Sequence, residues 1–266
     1  MVLLFDEYDV VDLTLLLDEE LPATWPPHVP FQRHVWNWFE TAQRIETWVS
    51  RSGAYFTESL LLDEHIGTHF DAPAHFLMNN TAIGAEPRTG DLVSLRQLCG
   101  PAVVVNVTNL KGTSLIGQSP YITADAIQTW ESLHGRLKSG EVVLFRSDWD
   151  QDHYKRGVEG NGYAFDVAVT KTQAGWPAPD VSCMELLFER GIGLVGTDGP
   201  SMGSAHDGGP VHVFGLSNSI LFVEGLSELK KLPTEGAYFQ FLPLKVSRSS
   251  GGPGRAIGWV PRTPLL

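Results

Sequence analysis

Cysteine is scarce: Cys99 and Cys183 are the only two in 266 residues. They stand far apart and outside any CxxC spacing, which argues against a disulfide framework and leads to the expectation of a reducing, cytoplasmic compartment. Positive charge is scarce as well, with 19 Lys and Arg against 31 Asp and Glu, and no basic stripe offsets the formal net charge of −12. Nucleic acid is therefore not expected as a partner. No apolar run approaches the length of a membrane span. The opening MVLLFDEYDV reaches its first acid at Asp6 without a basic segment, unlike a secretory leader. Internal repeats and linker-like composition are also missing, so residues 1–266 are expected to form a single domain.

What is present is an ordinary globular mixture, 42% hydrophobic and 19% charged, which excludes coiled coil, collagen-like repeat and wholesale disorder. Asp6, Glu7, Asp9, Asp12, Asp18, Glu19 and Glu20 all precede the first basic residue, Arg33, and read as a solvated acidic edge. Short apolar or alternating runs predict strands at Val10–Leu17, Ala54–Leu62, Ala102–Val107, Val142–Arg146, Ile192–Thr197, Ser219–Val223, Tyr238–Val246 and Ala256–Val260. Helices are predicted at Thr123–His134 and at Met184–Arg190, the second behind a Ser182–Glu185 capping box and stopped by Gly191. With strands outnumbering helices, the expected class is α/β: a mixed, largely antiparallel sheet core with flanking helices rather than a doubly wound sheet. Residues 150–180 and 201–210, rich in Gly, Pro and polar side chains, read as surface excursions. Residues 20–50 are aromatic-rich, with Trp25, Trp36, Trp38, Trp48, Phe31 and Phe39. They could cover the core as a helix face or staple, or wall a pocket for a flat substrate.

Two glycine motifs mislead. Gly191-Ile-Gly193-Leu-Val-Gly196 fits the dinucleotide spacing, but a helix precedes it and a strand follows, the reverse of the order that aims a helix N-terminus at a pyrophosphate. Gly199-Pro-Ser201-Met-Gly203 fits GxSxG, yet SAHDGGPVH follows where a nucleophile elbow needs a helix. Serine hydrolysis at Ser201 is therefore a minor alternative.

The informative stretch is His65-Ile-Gly-Thr-His69-Phe-Asp71-Ala-Pro-Ala-His75. Neutral imidazole and carboxylate suit a divalent cation, and His65, His69 and Asp71 would leave coordination positions open. Gly67 and Pro73 disfavour a continuous helix, which places the cluster on a loop at a strand end. His75 could be a fourth ligand or a proton-transfer group, since imidazole titrates near neutrality. His212 and Glu224 offer one nitrogen and one carboxylate for a second ion, with Asp71 able to bridge.

HIGTHFDAPAH resembles the HxGTHxDxPxH signature of the metal-dependent cyclase-like hydrolases, the family of bacterial kynurenine formamidase and isatin hydrolase. VLFRSDW, GTDGPS, His212 with Glu224 in the EGL turn, FLPLKV and GGPGRAIG resemble that family's landmarks in the same order, so the likeness runs from Val10 to Pro261. The resemblance implies a swivelling β/β/α fold, usually dimeric, with His65, His69 and Asp71 on a first metal. It implies His75 as proton donor and acceptor, and His212 and Glu224 with Asp71 at a second site. The ion would be zinc or manganese, one or two per chain.

The expected function is a metal-dependent hydrolase that cleaves a formamide or opens a cyclic amide or lactone on a small aromatic molecule, acting on C–N bonds other than peptide bonds. A metal-dependent cyclase of the polyketide type and a non-enzymatic metal-binding scaffold are the alternatives. Trp36, Trp38 and Phe76 are candidate aromatic contacts to the substrate. Asp198 and Ser201 are candidate pocket residues, with turn chemistry as the competing explanation.

Overall fold

The computed structural model describes residues 7–38, 55–77 and 88–262. In chain order its strands are β1 (Tyr8–Asp12), β2 (Gln32–Trp38), β3 (Phe56–Leu61), β4 (His69–Asp71), β5 (Cys99–Asn106), β6 (Tyr121–Ile122), β7 (Val142–Arg146), β8 (Ala178–Pro179), β9 (Leu194–Thr197), β10 (Leu221–Glu224), β11 (Ala237–Pro243) and β12 (Gly251–Pro261). The helices are α1 (Ala124–His134), α2 (Trp149–His153), α3 (Phe165–Ala168), α4 (Val181–Glu189) and α5 (Gly209–Ser217).

The apolar runs at the centre of the sequence form the parallel part of the main sheet. β5, β7, β9 and β10 lie side by side and parallel, with Ala102 opposite Val142 and Val142 opposite Leu194. Such strands are covered on both faces, which is why VVLF reads as a continuous run rather than an alternation. The period of two sorts their residues into two cores. Val103, Val105, Val143, Phe145 and Val195 face a layer that includes Ile127 and Trp130 of α1, Met184 and Leu187 of α4 and Leu216 of α5. Val104, Val142, Leu144 and Leu194 face inward, where they meet Phe70, Phe239, Phe241 and Val223.

The flanking strands β11, β12 and β1 are antiparallel. Closure comes from β4, only three residues long, which pairs antiparallel with β10 on one edge and β12 on the other. Seven strands, β4, β5, β7 and β9–β12, thus close on one another, and β1 extends the sheet from β12. The α/β reading holds at the level of a mixed sheet with helices packed on it; closure was not expected. A short strand bonded on both sides loses its edge and is fixed in register. Phe70 consequently points into the inner core, and His69 and Asp71 point out of it.

Each of the eight expected strands is present, β7 with the expected bounds and the others with shifted ends, and β1 stops at Asp12. Several local expectations need correction. Helix α4 is capped by Asp180, whose side chain accepts from the Cys183 N–H at 2.9 Å, so it starts at Val181. Ser182 instead donates to Asp180 Oδ1 at 2.6 Å and accepts from the Ala124 N–H, tying α4 to the start of α1. Both residues are competent caps, and the earlier one lets the helix begin sooner. The segment 150–180 is more than a surface excursion, because Tyr163, Val167, Trp176 and Ala178 build a small core with Trp149 and Leu15. Helix α5 begins directly after the Gly-rich loop, with a proline in its first turn where the missing N–H costs nothing.

In the aromatic segment, residues 32–38 form β2, which pairs with β3 as a two-stranded antiparallel ribbon with an irregularity between Val35 and Asn37, so these residues are a strand rather than a helix face. Phe31 is buried with Ala23 and Ile66. Phe39 and Trp48 lie outside the described residues. Among the described residues no helix is long and apolar enough to cross a membrane.

Candidate metal centre and cleft

The outward face of β4 supplies His69 and Asp71. The register sets Glu224 of β10 directly opposite His69, on the same face, and α5 presents His212 to both carboxylates. His65 arrives from the loop before Gly67, a turn residue at φ +55° where a side chain would be strained. The ligand atoms of His65, His69 and Asp71, and separately those of Asp71, His212 and Glu224, lie within 4.8 Å of one another. Asp71 belongs to both sets.

The hydrogen bonds orient the rings. His69 Nδ1–H donates to the Gly67 carbonyl at 2.9 Å, and His212 Nδ1–H donates to the Gly208 carbonyl at 2.8 Å. Each ring therefore turns Nε2 toward the carboxylates: His69 Nε2 is 3.5 Å from Glu224 and 3.7 Å from Asp71, and His212 Nε2 is 3.1 Å from Glu224 and 3.5 Å from Asp71. Nitrogen lone pairs facing carboxylate oxygens need positive charge between them, from ring protons or a cation. Asp71 Oδ2 is buried with no hydrogen-bond partner, which also fits a coordinating atom. Three imidazoles and two carboxylates are the donor set of a divalent cation of the borderline class.

The same cluster sets the protonation of its members without metal. Burial opposes charge on His212, but the Glu224 hydrogen bond and charge and the Asp71 charge prevail and hold it up at about 9. His69 is raised by the same partners against the same penalty. Glu224 is buried too, and His212 and His69 hold it well below the usual carboxylate range. His75 goes the other way: burial, with the charges of His65 and His212, outweighs the two carboxylates and lowers it.

His75 sits in the short helical turn after β4 and stacks on His65, with centroids 3.7 Å apart and planes at 24°. Phe76 stacks on His212 at 4.2 Å. Above them opens a cleft of ≈ 370 Å³. It is lined by His65, His69, His75, His212 and Glu224 at the floor, and by Phe76, Ser201, Trp25, His28, Tyr163 and His206 around them. Phe76 and Ser201 thus line the cleft. Trp36 and Trp38 are not lining residues; Trp38 is 62% exposed on β2 and packs edge-on against Phe56. Tyr163 and His28 were missed: Tyr163 falls in a segment read as a surface excursion, and His28 in the aromatic-rich segment, where the tryptophans and phenylalanines drew the reading. Trp25 reaches the cleft by packing edge-on against the buried Trp176, at 6.0 Å.

Asp198 does not line the cleft. It is fully buried at the end of β9, where its carboxyl accepts from Ser147 N–H at 2.8 Å, Asp148 N–H at 2.7 Å and Ser147 Oγ–H at 2.5 Å. It pins the turn that starts α2. Burial pushes the carboxyl up to about 7, against those bonds. The folded state then keeps a proton that the unfolded chain releases near 3.8, so this group's contribution to stability falls as pH rises from about 4 to about 7. Asp198→Ala strands three buried donors and is expected to cost about 3 kcal/mol. Asp198→Asn can accept both N–H groups and donate to Ser147, so it is expected to stay folded and to flatten that slope. Thermal unfolding of the three proteins at pH 5 and pH 8 checks this.

Fold and centre together define the class: an α/β barrel carrying a buried imidazole–carboxylate centre at the base of a cleft. The chain belongs to the cyclase family, since the family model described as putative cyclase matches residues 11–204. Isatin hydrolase of Roseibium aggregatum is 30% identical over 272 residues, covering 98% of this chain and 95% of the relative. Kynurenine formamidase of Salinibacter ruber is 31% identical over 236 residues, covering 88% and 90%. Among solved structures, an isatin hydrolase bound to the product analogue thioisatinate superposes with TM-score 0.74 at 26% identity, covering 97% of this chain and 95% of that one.

Proposed function

We propose that this protein is a metal-dependent hydrolase that opens a cyclic amide in a small, uncharged aromatic compound of the isatin type, with an aromatic formamide as the second substrate class. The observation that carries the reading is the pair of ligand sets sharing Asp71 at the floor of the cleft, with His75 beside them. A divalent ion bound there supplies Lewis-acid chemistry, polarising a carbonyl and lowering the pKa of a water. The chain's own residues do the rest. His75, held below its ordinary value, is neutral at pH 7 and able to take a proton. The balance is that of hydrolysis: water oxygen joins the carbonyl carbon, the C–N bond breaks, and the proton that His75 removes goes to the leaving nitrogen. Trp25, Phe76 and Tyr163 offer aromatic surface to a flat ring.

The charge of the lining favours the cyclic amide. Among the described residues, it contains no Lys or Arg, and its one acidic side chain, Glu224, is committed to the centre. An isatin-like ring needs no counter-charge. The ammonium and carboxylate of N-formylkynurenine would have none there. Ser201 Oγ accepts from the Gly203 N–H and no described imidazole is bonded to it, which gives no support to a serine nucleophile.

We take the ion to be zinc or manganese, one or two per chain, and the protein to be a single-domain cytoplasmic homodimer. The test is turnover of isatin, N-formylkynurenine and simple lactones by zinc- and manganese-loaded protein in oxygen-18 water. Isatin is expected to be opened fastest with one solvent oxygen in the product, activity to vanish with a chelator, and a serine-directed phosphonate to have no effect. Preference for N-formylkynurenine would overturn the choice of substrate. A product without solvent oxygen would indicate the cyclase alternative.

A further inference from the structure

Behind His65, on the side away from Asp71, lies a chain of polar groups that the hydrolytic reading does not use. Ser250, just before β12, donates its hydroxyl proton to Glu64 Oε2 at 2.6 Å, and its backbone N–H donates to the same oxygen at 2.8 Å. A hydroxyl has one proton to give. With that proton on Glu64, Ser250 Oγ accepts at its second contact, 2.8 Å from His65 Nε2. His65 therefore carries its proton on Nε2. Its Nδ1 is left as a lone pair, 2.9 Å from Asp71 Oδ1 and inside the first ligand set.

We propose that Glu64 and Ser250 are positioning residues for the metal centre: they fix His65 as the Nε2–H tautomer, so that Nδ1 is the coordinating atom. Metal-ligating histidines commonly donate their far N–H to a carboxylate, carbonyl or water, which orients the ring and raises ligand basicity. His69 and His212 achieve this locally, each donating Nδ1–H to a nearby backbone carbonyl. His65 differs in coordinating through the opposite nitrogen, and it needs an acceptor on the opposite side of its ring. The barrel provides one. The start of β12 is laid against β4, with Gly251 opposite Asp71 and the Ala72 N–H donating to the Ser250 carbonyl at 2.9 Å. Gly251 matters to that approach, since a Cβ there would lie 2.2 Å from the Phe70 carbonyl and 2.8 Å from His65 Cε1.

The inference rests on His65 being a metal ligand, as read above, and the experiment separates the two. Zinc affinity is measured by competition with a chromophoric chelator for the parent protein and for Ser250→Ala, Glu64→Ala, the double variant and Glu64→Gln. The thermal midpoint of each metal-free protein is measured alongside. Both alanine variants are expected to bind zinc about 10- to 100-fold more weakly with the metal-free midpoint unchanged. The double variant should lose no more than the weaker single, because both act through one ring. Glu64→Gln, whose amide oxygen can accept both Ser250 donors, should restore most of the affinity.

Long-range proton–nitrogen correlation on histidine-labelled, zinc-loaded protein reads the tautomer directly, and the proton is expected on His65 Nε2. Parent protein that binds no zinc would overturn the metal reading itself. Tight binding by the parent together with unchanged affinity in both alanine variants, losses that track the metal-free midpoint, or a proton on Nδ1 would overturn this inference alone.

Discussion

Asp71→Ala is expected to leave the protein without stoichiometric metal after dialysis and to lower kcat/KM by about a thousandfold or more, since Lewis-acid stabilisation is worth several kcal/mol. The reason is topological. Asp71 is the one residue shared by both ligand sets, and β4 holds it from two sides, through Phe222 and Gly251. Asp71→Asn separates charge from shape: the amide fills the same buried space and can donate to the His65 Nδ1 lone pair, so the fold is expected to survive while the metal is lost. Elemental analysis of both variants, with unfolding midpoints beside it, decides the matter. An Asn variant that kept full metal and full activity would show that Asp71 is not the shared ligand.

The sequence made the first half of this centre legible as a local pattern, and the second half only as two separate candidate residues. His65, His69, Asp71 and His75 fall within eleven residues, so their chemistry is visible as a local density of ligand types. The partnership of His69 with Glu224 exists only because β4 and β10 are neighbours in a closed sheet, and no local pattern reports closure. His212 was visible as a residue, but its helix was not. Gly208, Gly209 and Pro210 resemble a loop, and the turn that begins α5 draws its support from burial of Val211 and Leu216 rather than from propensity.

The errors have physical reasons as well. A carboxylate between a strand and a Gly-Pro turn has the look of a pocket residue, yet Asp198 spends all its acceptors on the chain after β7. Trp36 and Trp38 belong to a ribbon whose alternation is weak, since Val35 and Trp38 are both exposed and Asn37 is buried. The inner and outer cores, by contrast, follow directly from the period of two in Val103–Val105 and Val142–Phe145.

His75→Ala is expected to keep its metal and to lose about 10²- to 10⁴-fold in kcat, the usual worth of a positioned proton-transfer group. The ring lines the cleft, lies flat on His65, and among the described residues makes no hydrogen bond to a carboxylate, carbonyl or hydroxyl that would consume a nitrogen. It is close enough to the centre to exchange a proton with the reacting atoms, yet it belongs to neither ligand set. Burial, aided by the charges of His65 and His212, holds it below its ordinary value of 6.5. The sign of the pH effect follows. A base acts when deprotonated, so activity is full above the His75 pKa and lost as pH falls through it, placing the acid limb of kcat/KM below pH 6.5. A cation in the centre would push that limb lower still, because like charge disfavours the imidazolium. His75→Ala should lack this limb and recover part of its rate with added free imidazole, which can carry the proton in place of the missing ring. Metal content measured on the same samples separates the roles: if metal disappears together with activity, His75 is a ligand and the proton must move through another group.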